Sequence, residues 1–216
     1  MVINEESGVA APDHLSAAEA ACFPCAGVTA WNALITQGRL RAGQTVLIQG
    51  SGGVALFALT FARAAGARVI ALTSTRAKQR RLEKMGAERT INYRETPEWG
   101  KVVRSMTGGV DHVIEVGGAR TINESLAAVR MGGRIAMIGN LSGASARINL
   151  IPILMGNIRI QGVFVGSGEI FEEMNAAVRA HKLKPVIDRR FGFDDAPKAF
   201  QRLASGKHFG KVVVEF

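Results

Sequence analysis

The six residues Gly50-Ser51-Gly52-Gly53-Val54-Ala55 constrain this chain more than any other stretch. They follow Thr45-Val46-Leu47-Ile48-Gln49, which is short, β-branched and almost wholly apolar, as a strand buried on both faces must be. After them Val54, Phe57, Ala58 and Phe61 recur at helical spacing as far as Gly66, a stop residue. Arg68-Val69-Ile70-Ala71-Leu72 then reads as a second strand. Strand, glycine turn, helix and strand within about thirty residues form a βαβ unit, which implies a parallel sheet with right-handed crossovers. In this G-x-G-x-x-A pattern Gly50 makes the tight turn, Gly52 lets the backbone approach a pyrophosphate, and Ala55 is small enough for close packing of helix on strand. The helix N-terminus that follows offers N–H donors and partial positive charge to phosphates.

The alternation continues beyond this unit. Residues 78–85 are helical and stop at Gly86; Thr90-Ile91-Asn92-Tyr93 is a short strand; residues 99–106 are helical. Asp111-His112-Val113-Ile114-Glu115-Val116 is a strand ending in Gly117-Gly118, residues 121–129 a helix, residues 133–139 a buried strand, and residues 158–165 one more. The fold class is therefore α/β: a doubly wound parallel sheet of the Rossmann dinucleotide-binding type. Such sheets bind ligands at the carboxyl ends of their strands, and glycine marks those ends here. Residues 42–62 carry no charge, but the glycine cluster cuts that run into pieces too short to span a bilayer.

Charge sharpens the ligand. Lys and Arg number 27 against 18 Asp and Glu, a formal net charge of +9. Residues 20–82 hold no acid at all, yet carry Arg39, Arg41, Arg63, Arg68, Arg76, Lys78, Arg80 and Arg81. Sites that prefer NAD place an Asp or Glu about twenty residues after the first glycine, on the ribose 2′-hydroxyl. Here that position falls in Thr73-Ser74-Thr75-Arg76-Ala77-Lys78, where Ser74, Arg76 and Lys78 can bind a 2′-phosphate by charge-assisted hydrogen bonds. The expected cofactor is NADP(H). The missing acid also argues against S-adenosylmethionine enzymes of the same fold. Arg80 and Arg81 read as a solvated helix face. Nucleic acid is disfavoured, because aromatics are only 6% of the residues and the basic stretch holds no base-reading motif. At 47% hydrophobic and 21% charged residues the composition is that of a soluble globular protein, not a disordered one.

These residues resemble the medium-chain dehydrogenase/reductase superfamily, which contains the zinc-type alcohol dehydrogenases and the quinone oxidoreductases. The resemblance rests on Pro24-Cys25-Ala26-Gly27-Val28-Thr29-Ala30-Trp31, on residues 46–54, and on Lys84-Met85-Gly86-Ala87 with Ile91-Asn92-Tyr93. Phe191-Gly192-Phe193 and the closing Gly206-Lys207-His208-Phe209-Gly210-Lys211-Val212-Val213-Val214 complete it. It covers nearly the whole chain and points to the NADP-dependent, zinc-independent branches. It implies that Thr29 lies on the nicotinamide side and that Gly52, Gly53 and Val54 hold the pyrophosphate. Ser74, Lys78 and Tyr93 would hold the adenosine 2′-phosphate. Val116, Gly117, Gly118, Ile138, Gly139, Phe164 and Val165 would line the ribose and nicotinamide, with Lys211 a weaker candidate.

The resemblance further implies three parts. Residues 1–25 would be a linker and remnant of an N-terminal GroES-like catalytic domain, with residues 2–15 its last strand and linker. Residues 26–166 would be the Rossmann domain, and residues 167–216 a segment that returns to the catalytic domain and whose apolar last strand has exposed edges. Most of the substrate pocket would then lie outside this chain. The expected activity is hydride transfer between NADPH and a small-molecule carbonyl, alcohol, quinone or activated alkene. The alternative is an NADP(H)-binding or interaction module without catalysis. A cytoplasmic homodimer is expected, from the family and from the apolar strand at residues 158–165.

Cys22 and Cys25 form a C-x-x-C, but no second pair of ligands exists and the four histidines show no ligand spacing. Cys25 sits where zinc-dependent relatives keep a ligand; it reads here as a packed residue, and no metal is expected. Asp194 and Asp195 read as the cap and first-turn charge of a helix ending near Gly206. Glu115 closes a strand at the cofactor end and admits either a cofactor contact or a structural hydrogen-bonding role. No catalytic residue or proton donor is identifiable.

Overall fold

The computed structural model describes residues 4, 5 and 8–216. Its centre is a six-stranded parallel sheet of β1 (Thr45–Gln49), β2 (Arg68–Thr73), β3 (Arg89–Asn92), β4 (Val110–Glu115), β5 (Val129–Met137) and β6 (Arg159–Gly162). The strand order is β3-β2-β1-β4-β5-β6, so the direction of winding reverses between β1 and β4. That reversal opens a crevice at the carboxyl ends of these two strands, where doubly wound sheets take their ligands.

Every residue of β1 is buried, because side chains alternate between two covered faces. Val46 and Ile48 join Val69, Ala71 and Ile114 in one core, under helix α3 (Gly53–Ala64) and a helical run on the same side. That run holds α1 (Ala17–Ala20) and α2 (Val28–Trp31), with π-helical turns Phe23–Gly27 and Asn32–Thr36 on either side of α2. Leu47, Ile70, Leu72, Val113 and Ile135 form the opposite core. There α5 (Trp99–Thr107) and α6 (Ile122–Ala128) lie close together. A Cβ on Gly100 would stand 2.3 Å from the Glu124 carbonyl oxygen, so only glycine lets these helices approach. Helix α4 (Arg76–Lys84) links β2 to β3, and α7 (Ile151–Gly156) precedes β6.

The remaining elements are α8 (Gly168–Ala180), β7 (Ile187–Gly192), α9 (Ala196–Ala204) and β8 (Lys211–Glu215). One expectation is corrected in the terminal segments and two are made more specific. Of the segment 2–15, Val2, Ile3, Glu6 and Ser7 lie outside the described residues, and residues 4, 5 and 8–15 form no strand. The Ala10 carbonyl accepts from the Asn175 and Arg179 side chains of α8, and His14 Nε2 lies 3.0 Å from the Leu183 carbonyl oxygen. The last strand is paired along one edge: β8 runs parallel to β7, with α9 as the crossover, and Val213 is buried. Asp195 occupies the N-cap position of α9 but makes no side-chain capping bond; it pairs with Lys198 at 2.7 Å instead.

His112 of β4 is 5% exposed and its Nε2 lies 3.1 Å from Gln44 Oε1. Burial holds its pKa down to about 4, with Arg134 and Arg130 acting in the same direction and Asp111 against them. Between about pH 6.5 and 4 the unfolded chain therefore binds a proton that the folded chain refuses, and stability falls as the pH drops through that window. Urea unfolding followed against pH should show a loss of about 3 kcal/mol attributable to this group. His112→Gln should remove that share of the slope; parallel curves for the two proteins would contradict the assignment.

Candidate cofactor site

The site is built from the carboxyl ends of β1, β2 and β4. Gly50 leaves β1 with φ of 81°, a left-handed conformation that side chains rarely adopt, and its N–H donates to the Leu72 carbonyl at 2.8 Å. A Cβ at Gly50 would meet nothing within 4 Å, so the space above the turn is open. Gly52 is the N-cap of α3 and no side chain caps this twelve-residue helix. An anion is the natural partner for such an end. Ala55 is buried against the sheet, as its small size anticipates. Val54 sits in the first turn of α3, half-buried.

The closing segment forms a second wall. Gly210 N–H donates to the Ser51 carbonyl at 2.9 Å, and Gly210 bridges to Gly52 in strand fashion. The Lys211 stem lies against Gly53, where a Cβ would fall 2.8 Å from Lys211 Cδ. His208 Nε2 lies 4.0 Å from the position a Cβ on Gly52 would take. Its Nδ1 is buried without a hydrogen-bond partner, and burial followed by the nearby Lys78 charge pushes its pKa down. Phe209 is buried beneath the Arg81 guanidinium, 3.8 Å from the ring centroid. Arg81 thus packs on a ring at the site and is not the purely solvated residue its helical spacing suggests.

At the outer edge the ends of β2 and β3 lie side by side, Thr73 opposite Asn92. Tyr93 N–H donates to the Thr73 carbonyl at 3.0 Å, placing Tyr93 beside Ser74. Thr75 caps α4 by accepting from Lys78 N–H at 3.3 Å. Lys78 Nζ donates to the Gly206 carbonyl at 3.0 Å; burial lowers its pKa, and Arg202, Arg81 and Arg94 act the same way against Asp188. Arg76 is exposed in the first turn of α4.

Glu115 resolves its two readings in favour of structure. Its side chain is fully buried. One oxygen accepts from Gly117 N–H at 2.8 Å, Gly118 N–H at 2.9 Å and the Thr121 hydroxyl at 2.6 Å. The other accepts from Gln49 Nε2 at 2.7 Å and from the Ser125 hydroxyl. Gln49 Oε1 in turn accepts from the Val116 and Gly117 N–H groups, each at 3.2 Å. The backbone donors of residues 116–118 are thereby committed inside the protein.

Gly118, Ile138 and Gly139 come together, with Asn140, on a cavity of about 410 Å³ at the ends of β4 and β5. Phe164 and Val165 lie past the end of β6, apart from that cavity. Phe164 is 94% exposed. Val165 has φ of 46°, rare for a β-branched residue, and its carbonyl accepts from Asn32 Nδ2 at 2.8 Å. Thr29, one turn before Asn32, is buried, and its hydroxyl donates to the Cys25 carbonyl at 2.6 Å. His208, Arg94, Asn32 and Gln49 lie around the candidate site and are not singled out by the sequence reading. Only Gln49, a polar residue closing an apolar strand, carried a local signal.

A glycine turn opening a helix at the switch point of a 3-2-1-4-5-6 parallel sheet defines a dinucleotide-type α/β fold. A family model described as "Zinc-binding dehydrogenase" matches residues 53–180, and the chain belongs to that family, within the medium-chain dehydrogenases/reductases. It is 43% identical to a zinc-type alcohol dehydrogenase-like protein of Schizosaccharomyces pombe, over 96% of this chain and 62% of the relative. It is 34% identical to a second zinc-type alcohol dehydrogenase-like protein, from Leptosphaeria maculans, over 94% and 60%. The crystal structure of an NAD-dependent alcohol dehydrogenase superposes with a TM-score of 0.89 at 33% identity, over 96% of this chain and 61% of that one. The chain thus spans about 60% of the length of the relatives it matches.

A zinc ion does not fit the residues described. Cys22 is buried with Sγ 3.3 Å from the Ala18 carbonyl, and Cys25 is exposed. Among the described residues no group of three His, Cys, Asp or Glu side chains could hold a metal. No helix among these residues is long and apolar enough to cross a membrane.

Glu115→Gln would point an amide N–H₂ at the donors of Gln49, Ser125 or Gly117. With buried groups left unpaired, the unfolding free energy should drop by about 3 kcal/mol in urea titration. A change below about 1 kcal/mol would show that this hub does not hold the crevice together.

Proposed function

We propose that this chain is the cofactor-binding part of an NADP(H)-dependent oxidoreductase that moves hydride between NADPH and a small carbonyl, alcohol, quinone or activated alkene. The observation that carries the reading is the uncapped N-terminus of α3 behind an open glycine turn at the switch point. In this reading Gly50, Gly52, Gly53 and Val54 hold the pyrophosphate, and His208 borders it. Ser74, Arg76, Lys78 and Tyr93 hold the 2′-phosphate, with Arg94 adding positive charge. Gly118, Ile138 and Gly139 shape the ribose and nicotinamide pocket, and Thr29 with the Asn32–Val165 pair bounds its far side. When bound, reduced nicotinamide supplies the hydride; the protein's part is to bind, orient and shield it. The zinc-independent branches of the family are the model for the chemistry.

An activated alkene is among the proposed substrates because an acryloyl-coenzyme A reductase of Sulfurisphaera tokodaii is 28% identical over 91% of the chain. Exposed Phe193, Phe200, Leu203 and Phe216 support a further domain packing on the β7–β8 side. Fluorescence titration tests the cofactor directly. NADPH should bind at least tenfold more tightly than NADH, and Lys78→Gln should weaken NADPH by about 10- to 100-fold while leaving NADH unchanged. Preference for NADH, the choice named for one structural neighbour, would overturn the phosphate assignment.

We propose a homodimer through β6, the exposed edge of the sheet. Sedimentation velocity should give twice the 23.0 kDa chain mass, and Ile160→Lys should give the monomer; a monomeric parent protein would contradict this.

A further inference from the structure

A second basic centre lies at the opposite end of the sheet. His112, Arg134 and Arg159 are register partners on the neighbouring strands β4, β5 and β6, so their side chains leave from the same face. Strands in a sheet are about 4.8 Å apart, which sets the two arginines side by side, an arrangement that costs stability unless something compensates it. The turn after Gly38 brings Arg39 and Arg41 against them. Arg39 holds a left-handed backbone with φ of 52°, and Arg134 Nη1 donates to the Gln37 carbonyl at 3.0 Å.

These residues line two adjoining cavities of about 80 and 210 Å³ that share Gly38, His112 and Arg134. The one carboxylate in the lining is Asp111, and it is already committed to Arg130 Nε at 2.7 Å and Thr45 N–H at 2.8 Å. Among the described residues no acidic side chain pairs with Arg39, Arg41, Arg134 or Arg159. The guanidinium of Arg134 is held below its usual range by burial and then by the charges of Arg159 and Arg39. His112 remains neutral at neutral pH and supplies no compensation.

We propose that this concavity is a binding site for a small phosphate-bearing anion of about pyrophosphate size, gripped by Arg134 and Arg159 from the sheet and by Arg39 from the turn. Guanidinium forks match phosphate oxygens two at a time, and several converge here without a counter-ion. The cavities are small, about 80 and 210 Å³, which suits a compact anion and not an extended acidic peptide. No Phe, Tyr or Trp lines them, so the broad stacking platforms that hold nucleobases are absent from the lining. Arg134 lies five residues below Gly139, about 16 Å down the strand, so the site is separate from the glycine turn.

Thermal unfolding of the whole chain saturated with NADPH, so that the glycine turn is already occupied, with sodium pyrophosphate exchanged for sodium chloride at constant ionic strength, tests the site. Pyrophosphate at ten times its Kd should raise Tm by about 3–6 °C. Arg134→Gln with Arg159→Gln should abolish the rise. Arg39→Gln should weaken the apparent Kd about tenfold, and Lys78→Gln should leave the rise intact. Circular dichroism in chloride establishes that each variant folds; Arg39→Gln, at an exposed turn, serves if the double variant does not. The proposal falls if wild type shows no rise, if the rise survives in the folded arginine variants, or if Lys78→Gln removes it. Stabilisation by polyglutamate but not by pyrophosphate would equally overturn it, in favour of a protein partner.

Discussion

The buried Glu115 side chain is the contact on which the crevice depends. It lies at the one place where two adjacent strands send their following helices to opposite faces of the sheet, and nothing in a parallel ladder holds such a gap to a set width. Glu115 ties the end of β4 to Gln49 at the end of β1, to the backbone of residues 117 and 118, and to Thr121 and Ser125 at the start of α6. A carboxyl group with five donors is satisfied, whereas the same group with fewer would carry a heavy desolvation penalty. Opening the crevice would therefore break several hydrogen bonds at once.

Positive charge is distributed by the same topology. Residues 20–82 look like one basic, acid-free block in the sequence, but the chain crosses the sheet within it. Arg39 and Arg41 fall at the amino ends of the strands, whereas Arg76, Lys78 and Arg81 fall at the carboxyl ends. Arg68 lies 3.9 Å from Glu88 as an exposed pair worth little. The basic residues of this block thus fall into two groups, one beside the glycine turn at the carboxyl ends of the strands and one at their amino ends.

The parallel strands and the first βαβ unit were legible because their signals are local. Five apolar residues bounded by glycine can hardly be anything but a buried strand, and Val54, Phe57 and Phe61 announce the helix that covers it. Residues 17–36 were not legible: they wind as short α- and π-helical turns without polar faces or stop residues to mark them. The early start of β5 was hidden as well, since it follows α6 with no turn and includes exposed Met131. Within the site, Gly50, Gly52 and Ala55 could be assigned from spacing alone. His208 could not, because Gly210 pairs with Gly52 across more than 150 residues, and no periodicity reports a contact of that range. Asn32 and Val165 meet across a comparable gap of 133 residues.

Backbone amide NMR of the chain titrated with NADPH tests the central claim most directly, since it reports where the cofactor lies as well as whether it binds. With the dinucleotide in the crevice, the amides of Gly52, Gly53, Val54 and residues 74–78 should shift together and saturate with one affinity, with Gly118 and Gly139 following. Gly38, Arg39 and Arg134 at the far end of the sheet should not move with them. Saturable NADPH shifts confined to the far end, or no shift at Gly52 to Val54, would contradict it.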